Sequence, residues 1–124
     1  MKIGEIYYFV TTKATGHQSR PKYHLYIGEL GWRLEGHGFL FINKNNLDDG
    51  YPLYKKDYEF FPLEVSFVSG LVGYDQQELD DSKLKLCGQL SKTHLSELYR
   101  AVSNSEFLEG WVIREVCQKL MPHL

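Results

Sequence analysis

The stretch Thr15-Gly16-His17-Gln18-Ser19-Arg20-Pro21-Lys22-Tyr23-His24 places four side chains able to carry positive charge, His17, Arg20, Lys22 and His24, within eight residues. The whole chain of 124 residues has a formal net charge of -2, so this is a local basic excess on a slightly acidic background. A glycine-containing loop that leads into a strand can hold an arginine fork against a phosphodiester, because the planar guanidinium matches two phosphate oxygens at once. Arginine also stabilises the extra negative charge of a phosphoryl-transfer transition state. Lys22 and His24, two positions apart on a strand, share one face and extend the patch. His24, with an ordinary pKa near ~6.5, is a candidate general acid or base. The same stretch also reads as a solvated turn in which Pro21 fixes the entry to the strand.

Other chemistries find less support. Five histidines and two cysteines are present, but no CxxC or HxxxH pair brings them to metal-ligand spacing, so no metal is expected. Neither a Walker loop nor a Rossmann glycine pattern occurs, and no cofactor is expected. A nucleophile elbow, a triad order and paired carboxylates are likewise missing. Cys87 and Cys117 lie far apart, the second on an expected helix, which argues against a disulfide framework and for a reducing, cytoplasmic setting. The apolar run Ile6 to Val10 is too short for a signal peptide, and nothing approaches the roughly 18 apolar residues of a membrane span. The net charge and a pI near 6.2 speak against avid nucleic-acid binding through overall charge, while leaving room for a local basic patch.

The elements that must position the basic segment are mostly strands. Residues 5–10 (EIYYFV) are rich in β-branched and aromatic residues and end at a turn-like stretch. After Pro21, Tyr23, Leu25 and Ile27 alternate with Lys22, His24 and Tyr26, predicting a half-buried strand with a basic, hydrogen-bonding face. The run Phe39-Leu40-Phe41-Ile42 predicts a central strand, the Asn- and Asp-rich residues 43–52 a surface loop, and the period-two pattern from Leu63 onward further strands ending near Tyr74. No helix long enough for a crossover is expected between them, which favours an antiparallel barrel. From Ser91 the period changes. Leu95, Leu98 and Val102 predict a helix over 92–102, and Leu108, Trp111, Val112, Val116 and Leu120 a second over 105–121. A single domain spanning residues 1–124 is expected.

Three groups of residues carry a family resemblance. Gly4-Glu5-Ile6-Tyr7, then Gly16-His17-Gln18 with Arg20-Pro21 before an apolar strand, then Leu86-Cys87-Gly88-Gln89-Leu90-Ser91 ahead of an amphipathic helix, resemble in order and spacing the MazF/PemK toxins of bacterial toxin–antitoxin modules. The resemblance implies a mainly β fold, an SH3-like small antiparallel barrel of the PemK/MazF type with two C-terminal α-helices and strands over about 3–75. It also implies a cytoplasmic, growth-inhibiting endoribonuclease that cuts single-stranded RNA without metal, forms a homodimer and is held by an acidic antitoxin protein. The family's catalytic arginine matches Arg20. Asn43 stands where the family has its threonine, and the usual preceding proline is absent. An amide can still orient a phosphate oxygen, so the expected catalytic set is Arg20 and Asn43 from the resemblance together with His24 from its own chemistry, with Gly16, His17, Gln18 and Lys22 binding RNA.

A second reading keeps the barrel and drops the cleavage. In it the chain is a protein or nucleic-acid interaction module whose surface aromatics Tyr7, Tyr51, Tyr54 and Tyr58 hold a partner. Ser66 and Ser69 read as exposed strand polars with no assigned role.

Overall fold

The computed structural model describes residues 1–14, 19–31, 33–46 and 49–124. Six strands follow the aromatic and β-branched runs: β1 (Glu5–Thr11), β2 (Arg20–Gly31), β3 (Glu35–Asn43), β4 (Tyr51–Tyr54), β5 (Val65–Tyr74) and β6 (Lys85–Gln89). A short helix α1 (Gln76–Ser82) separates the last two, and α2 (Lys92–Ser103), α3 (Gly110–Leu120) and a 3-10 turn complete the chain. The strands form one antiparallel sheet in the order β4-β5-β3-β2-β1-β6. At the β2–β3 hairpin Gly36 has φ +86°, and a Cβ there would lie 2.3 Å from the carbonyl oxygen of Tyr74, so only glycine fits.

The expectation of a closed barrel is corrected. Among the described residues β4 and β6 remain the two edges of the sheet, with no ladder between them. Side chains fill the seam instead. After the four-residue β4, residues 55–61 turn back across the gap, where Phe60 presses on Gly88 of β6 so closely that a Cβ there would meet the ring at 2.8 Å. The Tyr23 hydroxyl donates to the Phe60 carbonyl at 2.9 Å, and the Ser91 amide donates to the Tyr58 hydroxyl at 3.1 Å. An aromatic plug thus takes the place of a sixth set of backbone hydrogen bonds.

The sheet buries both faces, which corrects the half-buried reading of β2. One face carries Ile6, Leu25, Ile27, Leu40, Ile42 and Val68, covered by the apolar stripes Leu95, Leu98 and Val102 of α2 and Val112, Val116 and Leu120 of α3. The other holds an aromatic cluster of Tyr7, Phe9, Tyr26, Phe39 and Tyr74, with Leu79 of α1 at its margin. Alternation in β2 sorts side chains between two buried layers rather than between core and water.

The helices follow their local signals. Ser91 caps α2 by accepting from the His94 amide at 3.2 Å. α3 begins at Gly110 and not at 105, because the Ser105 hydroxyl accepts from the amides of Phe107 and Leu108 and holds a turn there. α1 begins with a full capping box between Asp75 and Glu78. No helix among the described residues is long and apolar enough to cross a membrane.

Candidate functional site

Where β2 begins and β3 ends, the sheet opens into a groove of about 750 Å³. Lys13, Arg20, Lys22 and Lys44 line it, and no Asp or Glu does so among the described residues. The charge of Lys13 is balanced, since its ammonium lies 3.1 Å from the Glu78 carboxylate and donates to the Gly73 carbonyl at 2.7 Å. Arg20, Lys22 and Lys44 form no ion pair among the described residues. Arg20 and Lys44 are exposed, and Lys22 is half-buried. Three cations without a carboxylate create a positive potential that favours an anionic ligand.

A line of polar side chains crosses the floor from strand to strand. The Lys22 ammonium donates to the Asn43 side-chain oxygen, and the Asn43 amide nitrogen donates to the Ser69 hydroxyl. These bonds leave the amide one orientation, oxygen toward β2 and nitrogen toward β5. Lys22 also lies over the Phe41 ring, 5.1 Å from its centroid. Burial holds the Lys22 ammonium below the usual lysine range, and the positive charges of Arg20 and Lys44 push it the same way. Ser69 reaches the line because the β3–β5 register shifts between Leu40 and Ile42.

His24 lies behind the groove, not in it. Its residue is 0% exposed, and its ring stacks on Phe9 with centroids 3.8 Å apart. The Lys22 carbonyl, 2.9 Å from Nδ1, can only accept, so Nδ1 carries the proton. Nε2 must then accept, and the Tyr74 hydroxyl donates to it at 3.0 Å. The Tyr74 oxygen in turn accepts from the Thr11 hydroxyl at 2.7 Å, and Thr11 accepts from the Lys13 amide at 3.0 Å. Burial drives the His24 pKa down to about 3, and desolvation pushes the Tyr74 phenol up to about 12. A neutral imidazole with both nitrogens engaged and no exposed surface cannot exchange a proton with a ligand in the groove. The acid–base role expected from its position on the strand is therefore corrected: His24 fixes the backbone carrying Lys22.

The structure thus brings Arg20, Lys22 and Asn43 to one place and leaves His24 outside it. Gly16, His17 and Gln18 lie outside the described residues. Lys44 and Ser69 also belong to the groove: only its adjacency to Asn43 signals the first in the sequence, and the second, which reads there as an exposed strand polar, reaches the groove through the strand register. The tyrosine surface of the second reading does not exist as one patch. Tyr7 and Tyr58 are 8% exposed and belong to clusters on opposite faces of the sheet. The Tyr51 hydroxyl donates to Glu97 at 2.5 Å, and Tyr54 alone of the four is well exposed. Among the described residues no three His, Cys, Asp or Glu side chains gather to hold a metal ion, and Cys87 and Cys117 are free thiols.

No family model, no curated protein and no solved structure matches this chain.

Proposed function

We propose that the groove binds single-stranded RNA, with Arg20, Lys22 and Lys44 on the phosphates, and that the chain is a PemK/MazF-like protein whose SH3-like barrel is open at one seam. The observation that carries this reading is the gathering of three cations that have neither an ion-pair partner nor a lining carboxylate among the described residues, in a chain whose net charge is negative. A phosphate backbone is the polymer best matched to such a site, and single strands fit a groove better than they fit a flat face. An acidic antitoxin segment would meet the same cations and compete with RNA. The order of the three sequence motifs supports the family assignment, as does the position of Arg20 at the first residue of β2, next to the loop where the resembling family carries its arginine.

Two forms of this reading differ in chemistry. In the cleaving form, the ribose 2′-oxygen attacks the adjacent phosphorus and the P–O5′ bond breaks; neutral Lys22, the groove amine whose pKa is pulled down, takes the 2′-hydroxyl proton and gives it to the departing 5′-oxygen, while Arg20 stabilises the charge on the phosphate. In the binding form the same groove holds RNA without cutting it. The buried neutral His24 and the non-titrating Asn43 both favour the second form. The test is incubation of purified protein with mixed-sequence single-stranded RNA in EDTA beside an Arg20→Ala variant. The binding form predicts retention of intact RNA by the native protein and weakened retention by the variant. Cleavage by the native protein alone would establish the cleaving form, and absence of both retention and cleavage would overturn the proposal.

A further inference from the structure

Beside the cations the groove wall is aromatic. Tyr8 of β1 and Tyr23 of β2 are cross-strand partners, so their rings stand on the same face of the sheet, with centroids 4.5 Å apart and planes tilted by 44°. Both line the groove and both are only half-buried. Tyr23 is fixed from behind: its hydroxyl donates to the Phe60 carbonyl, and its ring meets Phe61 edge-on at 5.1 Å. Tyr8 rests against Tyr23, and its hydroxyl makes no hydrogen bond among the described residues. Fixed, partly open rings beside a row of cations are the combination by which proteins hold single-stranded nucleic acid, the cations tracking the backbone and the rings stacking the bases.

The spacing suits one strand. Arg20 lies three residues before Tyr23 on β2, about 10 Å along the strand, with Pro21 lining the wall between them. Arg20 and Lys22 alternate to the face of β2 opposite Tyr8 and Tyr23, and all four line the groove, which therefore wraps the end of the sheet with cations on one side and rings on the other.

We propose that Tyr8, backed by Tyr23, is a stacking platform for one nucleobase of the RNA strand whose phosphate is held by Arg20. The inference rests on the single-stranded RNA reading above. It commits the groove to a ligand with unpaired bases, and so excludes duplexes and bare polyanions as its best ligands.

The test compares a mixed-sequence RNA decamer with an abasic ribose-phosphate oligomer of the same length, by fluorescence anisotropy. Wild-type protein is expected to bind the intact RNA at least about 5-fold more tightly than the abasic strand. Tyr8→Leu should lose about 5- to 100-fold on intact RNA and nothing on the abasic strand, Tyr8→Phe should match wild type, and Arg20→Ala should weaken both ligands. Equal affinity of wild type for the two ligands would overturn the platform, as would an unchanged Tyr8→Leu; with Arg20→Ala still weakened, the groove reading would survive. No binding of either ligand by wild type would overturn both.

Discussion

The Lys22 ammonium donates to the side-chain oxygen of Asn43 across the β2–β3 pair, and this one bond turns the Asn43 amide nitrogen toward Ser69. The bridge places a cation, an amide and a hydroxyl in a row along the groove floor.

Replacing Lys22 therefore does two things. Lys22→Ala removes one groove cation and leaves the Asn43 oxygen facing the groove, where water can reach it. RNA affinity should fall, and the dependence of log K on log[salt] should become shallower by about 0.7. Because Lys22 is only half-buried, thermal stability should change little. A titration at four salt concentrations, together with a melting curve, checks both expectations.

His24 makes stability depend on pH with a definite sign. Its pKa is about 3 in the folded protein and ordinary, near ~6.5, in the unfolded chain. Between those values the unfolded chain holds one proton more, so stability falls as pH falls, by up to about 1.4 kcal/mol per pH unit from this group. The contribution is complete above about pH 6.5 and is lost on the way down toward pH 3. Urea unfolding of wild type and His24→Gln at pH 7, 6, 5 and 4 should show a steeper decline for wild type. Parallel declines would sink this assignment.

Tyr74 closes the buried chain between His24 and Thr11. Tyr74→Phe keeps the ring contacts but leaves His24 Nε2 and the Thr11 hydroxyl without their shared partner, at a cost of about 1–3 kcal/mol. A shift of the urea midpoint at unchanged slope would show it.

The aromatic plug at the open seam can be tested at Gly88. A methyl group there meets Phe60 at 2.8 Å, so Gly88→Ala must displace the ring and should cost about 1–3 kcal/mol. The double variant Gly88→Ala with Phe60→Ala should recover part of that loss, because the clash is gone.

Much of this architecture is legible in the residues themselves. β1 shows as an aromatic, β-branched run, and α2 as Ser91 followed by Leu95, Leu98 and Val102, because each buries one face with a regular period. β6 escapes such reading. Its Lys85-Leu86-Cys87-Gly88-Gln89 has no alternation, and its pairing with β1 shifts register between Ile6 and Tyr7. The capping box of α1 is written plainly in Asp75 and Glu78, yet it precedes only seven helical residues with one buried leucine.

The site divides along the same line. Arg20 and Lys22 stand out through local charge. The burial of His24 does not, since alternation shows that Lys22, His24 and Tyr26 share a face without showing that aromatic side chains of β1, β3 and β5 cover it. Ser69 reaches Asn43 only through an irregular β3–β5 register, and Tyr8 meets Tyr23 only through the pairing of β1 with β2.

A salt series with wild type and an Arg20→Ala, Lys22→Ala, Lys44→Ala triple variant decides whether these three cations hold single-stranded RNA in the groove. Wild type should bind a mixed-sequence decamer at low salt, with log K falling against log[salt] at a slope of about -2, near 0.7 for each of three phosphates neutralised. The triple variant should fold and lose that binding. A folded triple variant that binds with wild-type affinity and slope, or a wild type that does not bind at low salt, would show that the groove is not a single-stranded RNA site.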